Sequence, residues 1–265
     1  MIAGVIIVII AVSVTGILFL LPRTTILYHK TTAADNANYK VGIYNVRDCE
    51  INVSFTDDPT LLYTMTLETY GASNFYLFED SYQTLLNYYN GPNLVRWNQE
   101  EIRAKSIDLR LGTGKAYKLD IWGTRLNVTI DYANGALIGL ESFVWVHSDN
   151  GTVVANYDGA DVDDSTLGNS TYPARIDFDL GIQHPSSYDL VYAELNINLP
   201  YFYYGDLDLN AETFDVTMSG WNRTDNPEIE SYFTDNVVGE GDPPNCYIDV
   251  YAVDVVANLY KDTTP

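Results

Sequence analysis

Residues 107–122 read IDLRLGTGKAYKLDIW, and Gly112, Gly114 and Lys115 stand in the order of a nucleotide-binding loop. A phosphate-binding loop needs a glycine, four residues, then Gly-Lys-Ser/Thr opening a helix whose N–H groups cradle the phosphates. Leu109 occupies the place of the first glycine, Ala116 follows the lysine, and AYKLDIW continues as an alternating strand. The stretch therefore predicts a hairpin turn, with Gly112 or Gly114 supplying positive φ, and no phosphate chemistry. Nucleophilic catalysis finds no better footing. The histidines are His29, His147 and His184, and no serine sits in a G-x-S-x-G elbow. His147, Ser148 and Asp149 are triad residue types, but neighbours at a strand end point apart, so they read as loop surface and the chain as non-enzymatic. A hydrolase would have to draw on scattered carboxylates, whose proximity a sequence does not give.

Metal is the remaining chemistry. NYDGADVDDST gathers Asp158, Asp161, Asp163 and Asp164 around Gly159, and oxygen ligands in a flexible turn suit calcium. The EF-hand spacing and its terminal Glu are missing, and a solvated acidic loop is the competing reading. A calcium ion there would order the loop between two halves of the chain; no other cofactor is expected. Cys49 and Cys246 lie far apart, with neither C-x-x-C spacing nor histidine partners for zinc. In an oxidising compartment they predict a disulfide closing a long loop, against the alternative of two buried thiols. Tyr88, Tyr89, Trp97, Trp122, Trp145, Trp221 and the run YFYY at 201–204 form either a face for sugars or protein partners, or cross-strand packing.

The elements that must carry these residues begin with IAGVIIVIIAVSVTGILFLL, residues 2–21, uncharged and closed by Pro22 and Arg23. Twenty residues at about 1.5 Å rise span the roughly 30 Å of a bilayer core, which predicts a transmembrane helix. Arg23, Lys30 and Lys40 follow it, so positive charge alone would keep the bulk of the chain in the cytoplasm. The acidity downstream, the cysteines and the sequons at Asn52, Asn127, Asn150, Asn169 and Asn222 argue for a single-pass protein with a glycosylated ectodomain outside the cell.

Residues 24–40 read as a juxtamembrane stalk. From Val41 onward apolar residues alternate with polar ones, as in Ile51/Val53/Phe55, Ile107/Leu109/Leu111, Leu126/Val128/Ile130 and Ile248/Val250/Ala252. One dry and one wet face per strand predicts a mainly β ectodomain, an elongated antiparallel sheet or a β-solenoid or sandwich. The one helical candidate is near residues 80–90, before Gly91-Pro92. Ile107/Leu109/Leu111 recurs nineteen residues on as Leu126/Val128/Ile130, and Ile176/Phe178/Leu180 as Leu195/Ile197/Leu199 and then Phe214/Val216/Met218. A period near twenty fits a solenoid rung or every second strand of a meander. The acidic polar loop expected at 147–172 divides the ectodomain into β-rich regions at 41–146 and 173–265.

These patterns carry a resemblance. The apolar N-terminal helix followed by VGIYNVRDCEINVSF, SIDLRLGTGKAYKLDIW and YYGDLDLNAETFDVTMSGW resembles the "putative-adhesin" β-solenoid domains of membrane-anchored archaeal and bacterial surface proteins. That resemblance implies a non-catalytic, adhesive or structural domain at the cell surface, and supplies no functional residues. The N-terminal segment also resembles archaeal type IV pilins and archaellins, which implies an alternative: a filament subunit whose apolar helix packs against like helices, although Pro22 ends the helix early. With 14 Lys+Arg against 36 Asp+Glu the formal charge is -22, which repels phosphate backbones and excludes nucleic acid as a partner. Lipid or like helices, surface proteins, glycans and further copies of the chain remain as expected partners.

Overall fold

The computed structural model describes residues 23–31, 38–70, 75–80, 93–99, 104–113, 116–132, 142–158, 168–169, 172–173, 176–181, 190–199, 205–220, 224–225, 232–234 and 246–261. Its strands are β1 (Arg23–Thr31), β2 (Asn38–Thr56), β3 (Leu61–Tyr70), β4 (Phe75–Asp80), β5 (Asn93–Gln99), β6 (Ala104–Gly112), β7 (Ala116–Tyr132), β8 (Ser142–Asp149) and β9 (Thr152–Asp158). They continue with β10 (Gly168–Asn169), β11 (Tyr172–Pro173), β12 (Ile176–Leu180), β13 (Leu190–Leu199), β14 (Gly205–Ser219), β15 (Thr224–Asp225), β16 (Tyr232–Thr234) and β17 (Cys246–Lys261). The protein is mainly β, and among the described residues no helix is long and apolar enough to cross a membrane. Residues 2–21, and the helical candidate beyond Asp80, lie outside the described residues.

The expected antiparallel sheet is corrected by the pairing. β2, β7, the pair β8/β9, the pair β12/β13, β17 and β14 stack side by side in parallel register, with β5 and β6 parallel on the other flank of β2. Antiparallel pairing is confined to the margins: β1–β3–β6 and β4–β5 at one end, and β14–β16–β15 at the other, apart from the isolated pair β10–β11. The layers β2, β7, β8/β9, β12/β13, β17 and β14 each run through two segments, a first arm and a second arm. On the first arm Val41, Leu119, Val144, Phe178, Ile248 and Leu207 form one inward column. On the second arm the column is Leu109, Val53, Ile130, Ala155, Leu195, Ala257 and Val216. Both columns belong to one apolar cluster that runs from Tyr39 to Leu259, so the regions divided at 147–172 in the sequence share a single core. Residues 147–149 and 152–158, expected as loop, are strand, and residues 24–31, expected as stalk, are β1.

Parallel sheets usually need cover on both faces. Here the outer face is kept wet by hydrogen-bonded polar rows. Asn156, Asn196 and Asn258 stand in register, Asn258 Nδ2 donating to Asn196 Oδ1 at 2.8 Å and Asn196 Nδ2 to Asn156 Oδ1 at 2.9 Å. Such amide ladders repeat at the strand spacing and let one side chain satisfy the next.

The two arms meet at a stacked corner. Asp48, Arg125 and Asn150 occupy the same place in three successive layers and have φ of 52°, 54° and 54°. Asp and Asn tolerate this left-handed region better than most residues. Arg125 is held there by its guanidinium, whose Nη2 donates to Asp48 Oδ2 at 2.8 Å. Next to them the layers approach so closely that only glycine fits. A Cβ on Gly123 would lie 2.2 Å from Val46 O, and one on Gly151 2.4 Å from Leu126 O. Ser148 Oγ, fully buried, accepts from Leu126 N at 3.0 Å and locks the two layers together.

GTGK is not a hairpin turn. β6 and β7 do not pair with each other: they flank β2 on opposite sides, so β7 starts the next layer but one after β6. Gly112 is needed for close approach, since its Cβ would sit 2.0 Å from Leu61 O.

Candidate functional site

Just before the corner, on the outer face of the first arm, the register brings together residues that are far apart in sequence. Gly42, Asp120 and Trp145 share one row, and Trp122 pairs with His147 in the next. The side chain of Tyr44 folds back over Gly42, where a Cβ would lie 2.2 Å from the ring, and its hydroxyl donates to Asp120 Oδ2 at 2.7 Å. Lys40 Nζ lies 2.9 Å from the same oxygen, and Trp122 Nε1 donates to Oδ1. Asp120 is 1% exposed, yet every one of these partners is a donor, which is what a buried carboxylate requires.

This anchor fixes an aromatic surface. The Trp122 indole stacks on His147 with centroids 4.2 Å apart and planes 20° from parallel, and Trp145 meets His147 edge-on at 6.5 Å. Trp122 remains 39% exposed. A hydrogen-bonded indole that cannot rotate away, with its outer face open, is a rigid platform for an apolar or C–H-rich ligand face. Burial pushes the His147 imidazole below its usual range, opposed by the Asp120 carboxylate, so the ring under the platform is held neutral. His147 Nδ1 is buried with no hydrogen-bond partner among the described residues. Beyond Trp145 the row continues as Asp179, Asp249 and Asp208, which gives the platform an acidic flank.

The structure sorts the sequence-predicted residues. Trp122, Trp145 and His147 come together, and His147 is a half-buried strand residue, not a loop histidine. Ser148 and Asp149 take no part with it. His29 lies on β1 with Nδ1 3.0 Å from Thr64 Oγ1, and His184 is outside the described residues. Trp97 stands opposite Ile43 on β5; Tyr88, Tyr89, Trp221 and the run at 201–204 fall outside the described residues. Asp158 Oδ1 accepts from Asn198 at 3.1 Å, while Asp161, Asp163 and Asp164 are outside; among the described residues no cluster has the make-up of a metal site. Asn52 donates to Asp108, Asn127 accepts from Thr152, Asn150 is exposed at the corner, Asn169 lies in β10, and Asn222 is outside.

Cys49 and Cys246 are buried, and neither is in a disulfide. One is in β2 and the other in β17, four layers apart; at about 4.8 Å per layer that is roughly 19 Å, against the ~4.4–6.8 Å between Cα atoms that a disulfide spans. The expected bridge is therefore not formed, and burial with Glu50 nearby pushes the Cys49 thiol up to about 12.

No protein-family model matches the chain, and no curated protein matches it in sequence. In fold it is similar to the crystal structure of a "putative cell adhesion protein" from Clostridium sporogenes, at 11% identity and a TM-score of 0.55, over 90% of this chain and 100% of that one. At that identity the likeness is one of fold.

Sequence reasoning named the tryptophans but missed Asp120, Lys40 and Tyr44. The signal was present: an aspartate set between Leu119 and Ile121, with a tryptophan two residues on, places a charge and an indole on the same side of one strand.

Proposed function

We propose that this protein is a non-enzymatic, adhesive cell-surface protein that contacts saccharides through the Trp122 platform, with residues 2–21 as its membrane anchor and the β body outside the cell. The observation that carries the reading is the exposed indole held by Asp120 and backed by His147. A pyranose ring offers a flat C–H face to such an indole, and the flanking aspartates offer acceptors to its hydroxyls. The shared fold with a protein described as a "putative cell adhesion protein" supports a surface role, and the acidity of the chain favours neutral glycans over sulfated or phosphorylated ones.

The test is a fluorescence titration of the full chain in detergent with neutral polysaccharides, beside a Trp122→Ala variant. Saturable quenching that the variant loses by at least tenfold in affinity is expected. Equal binding by both proteins, or no response to any glycan on an array, sinks the reading.

A further inference from the structure

The stack has two unlike ends. β1 closes one, pairing with β3 along one edge, and among the described residues nothing pairs with its other edge. β14 closes the other. β16 covers only its positions 206–208, and among the described residues 209–219 have β17 on one side and no strand on the other. We infer that copies of this protein stack head to tail, β1 of one copy adding in parallel to the second arm of β14 in the next.

Direction comes first. β1 is antiparallel to β3, and β3 to β6, so β1 runs the same way as the second-arm strands from β6 to β14. The inward column that ends at Val216 begins, through Leu109 and Met65, at Tyr28, and by backbone register position 26 of β1 lies in the same row as position 214 of β14. Stacking in register therefore sets Tyr28 beside Val216, and that inward column continues into the next molecule. Val216, Met218 and Tyr28 are only partly buried and pack against the core, as end residues awaiting another layer would. The lengths match as well, since the nine residues of β1 fit within the uncovered stretch 209–219.

Charge selects the pairing. β1 carries Arg23 and Lys30 and no carboxylate, whereas β14 carries Asp206, Asp208, Glu212 and Asp215 and no cation. Two β1 edges repel one another, as do two β14 edges, so the charges that discourage like-with-like edge pairing leave the unlike ends free to join. Nine strands lie along the second arm from β1 to β14, which at about 4.8 Å each gives an axial repeat of roughly 43 Å.

The test is sedimentation velocity of the full chain in detergent at low salt over a concentration series, with two charge-reversed variants, Arg23→Glu/Lys30→Glu and Glu212→Lys/Asp215→Lys. The wild type is expected to grow in mass with concentration and to return to monomer at high salt. Each variant alone should need at least tenfold more protein to associate. Their equimolar mixture should associate again, because each reversed end then meets an opposite one, and that recovery also shows both variants to be folded. A wild type that stays monomeric, association unchanged by either reversal (as contact through residues 2–21 would give), or a mixture that stays monomeric overturns the inference.

Discussion

Replacing Asp120 by alanine removes one carboxylate and strands three donors. In the folded protein Asp120 is 2% exposed at its side chain and Lys40 20%. Breaking a fully buried ion pair from one side costs ~3–5 kcal/mol, but Lys40 keeps a path to water, and the Trp122 ring is partly exposed, so the cost is about 1 kcal/mol lower than that range. We expect Asp120→Ala to cost about 2–4 kcal/mol, a fall in Tm of roughly 5–15 °C for a chain of this size. Lys40→Met alone removes the charge that most needs the carboxylate, and the double variant should be less destabilised than the sum by about 1–3 kcal/mol. Thermal unfolding followed by near-ultraviolet circular dichroism and tryptophan emission measures both quantities. Strictly additive effects, or an Asp120→Ala Tm within about 1 °C of wild type, would show that the carboxylate does not organise the patch.

Four further outcomes follow from other parts of the molecule. The Asn196 amide accepts from Asn258 and donates to Asn156 and Glu194, so Asn196→Ala should cost about 1–3 kcal/mol in urea denaturation, while an unchanged midpoint refutes the ladder. The Tyr157 hydroxyl is buried without a partner among the described residues, so Tyr157→Phe should raise stability by roughly 1 kcal/mol in the same assay; a loss would reveal a hidden bond. For His147 the folded pKa is depressed, so the unfolded chain binds the proton more readily; its stabilising contribution is full above the unfolded value near 6.5 and is lost as pH falls through that value toward the folded one. His147→Gln should therefore flatten the fall in midpoint between pH 7.5 and 5.5, and an unaltered slope would count against the buried neutral ring. Both cysteines should resist a thiol reagent at pH 8 in the folded chain and react fully in denaturant, whereas a thiol-free unfolded protein would restore the disulfide.

The dry face of the strands was legible in the sequence because side-chain alternation has a period of two whichever way the strands run. Ile51, Val53, Leu109, Val128 and Ile130 are inward as read. Direction and register were not legible, since alternation is the same in parallel and antiparallel sheets. The nineteen-residue recurrence set Ile107 against Leu126, yet Ile107 pairs with Ile51, which pairs with Val128: the true offset is two residues longer, on the same face, so the pattern looked right. The corner was hidden because Asp48, Arg125 and Asn150 share a conformation and no residue type. Asp120, Lys40 and Tyr44 form a site only after β2 and β7 are placed side by side.

Stacking also bears on adhesion. A single indole face beside a few acceptors binds one sugar ring weakly, because most of the gain is offset by the cost of ordering two flexible partners. Copies joined through β1 and β14 would set one Trp122 platform every 43 Å or so along an axis, on strands too stiff for the spacing to drift. A polysaccharide already held at one platform then meets the next at a high effective concentration, and avidity exceeds single-site affinity without any new contact. The charge-reversed variants separate the two contributions. If each binds a short oligosaccharide as the wild type does but loses hold of a long polymer, the platform supplies recognition and the stack supplies strength. If long and short glycans are affected alike, the ends of the stack have no part in adhesion, and the platform must account for all of it.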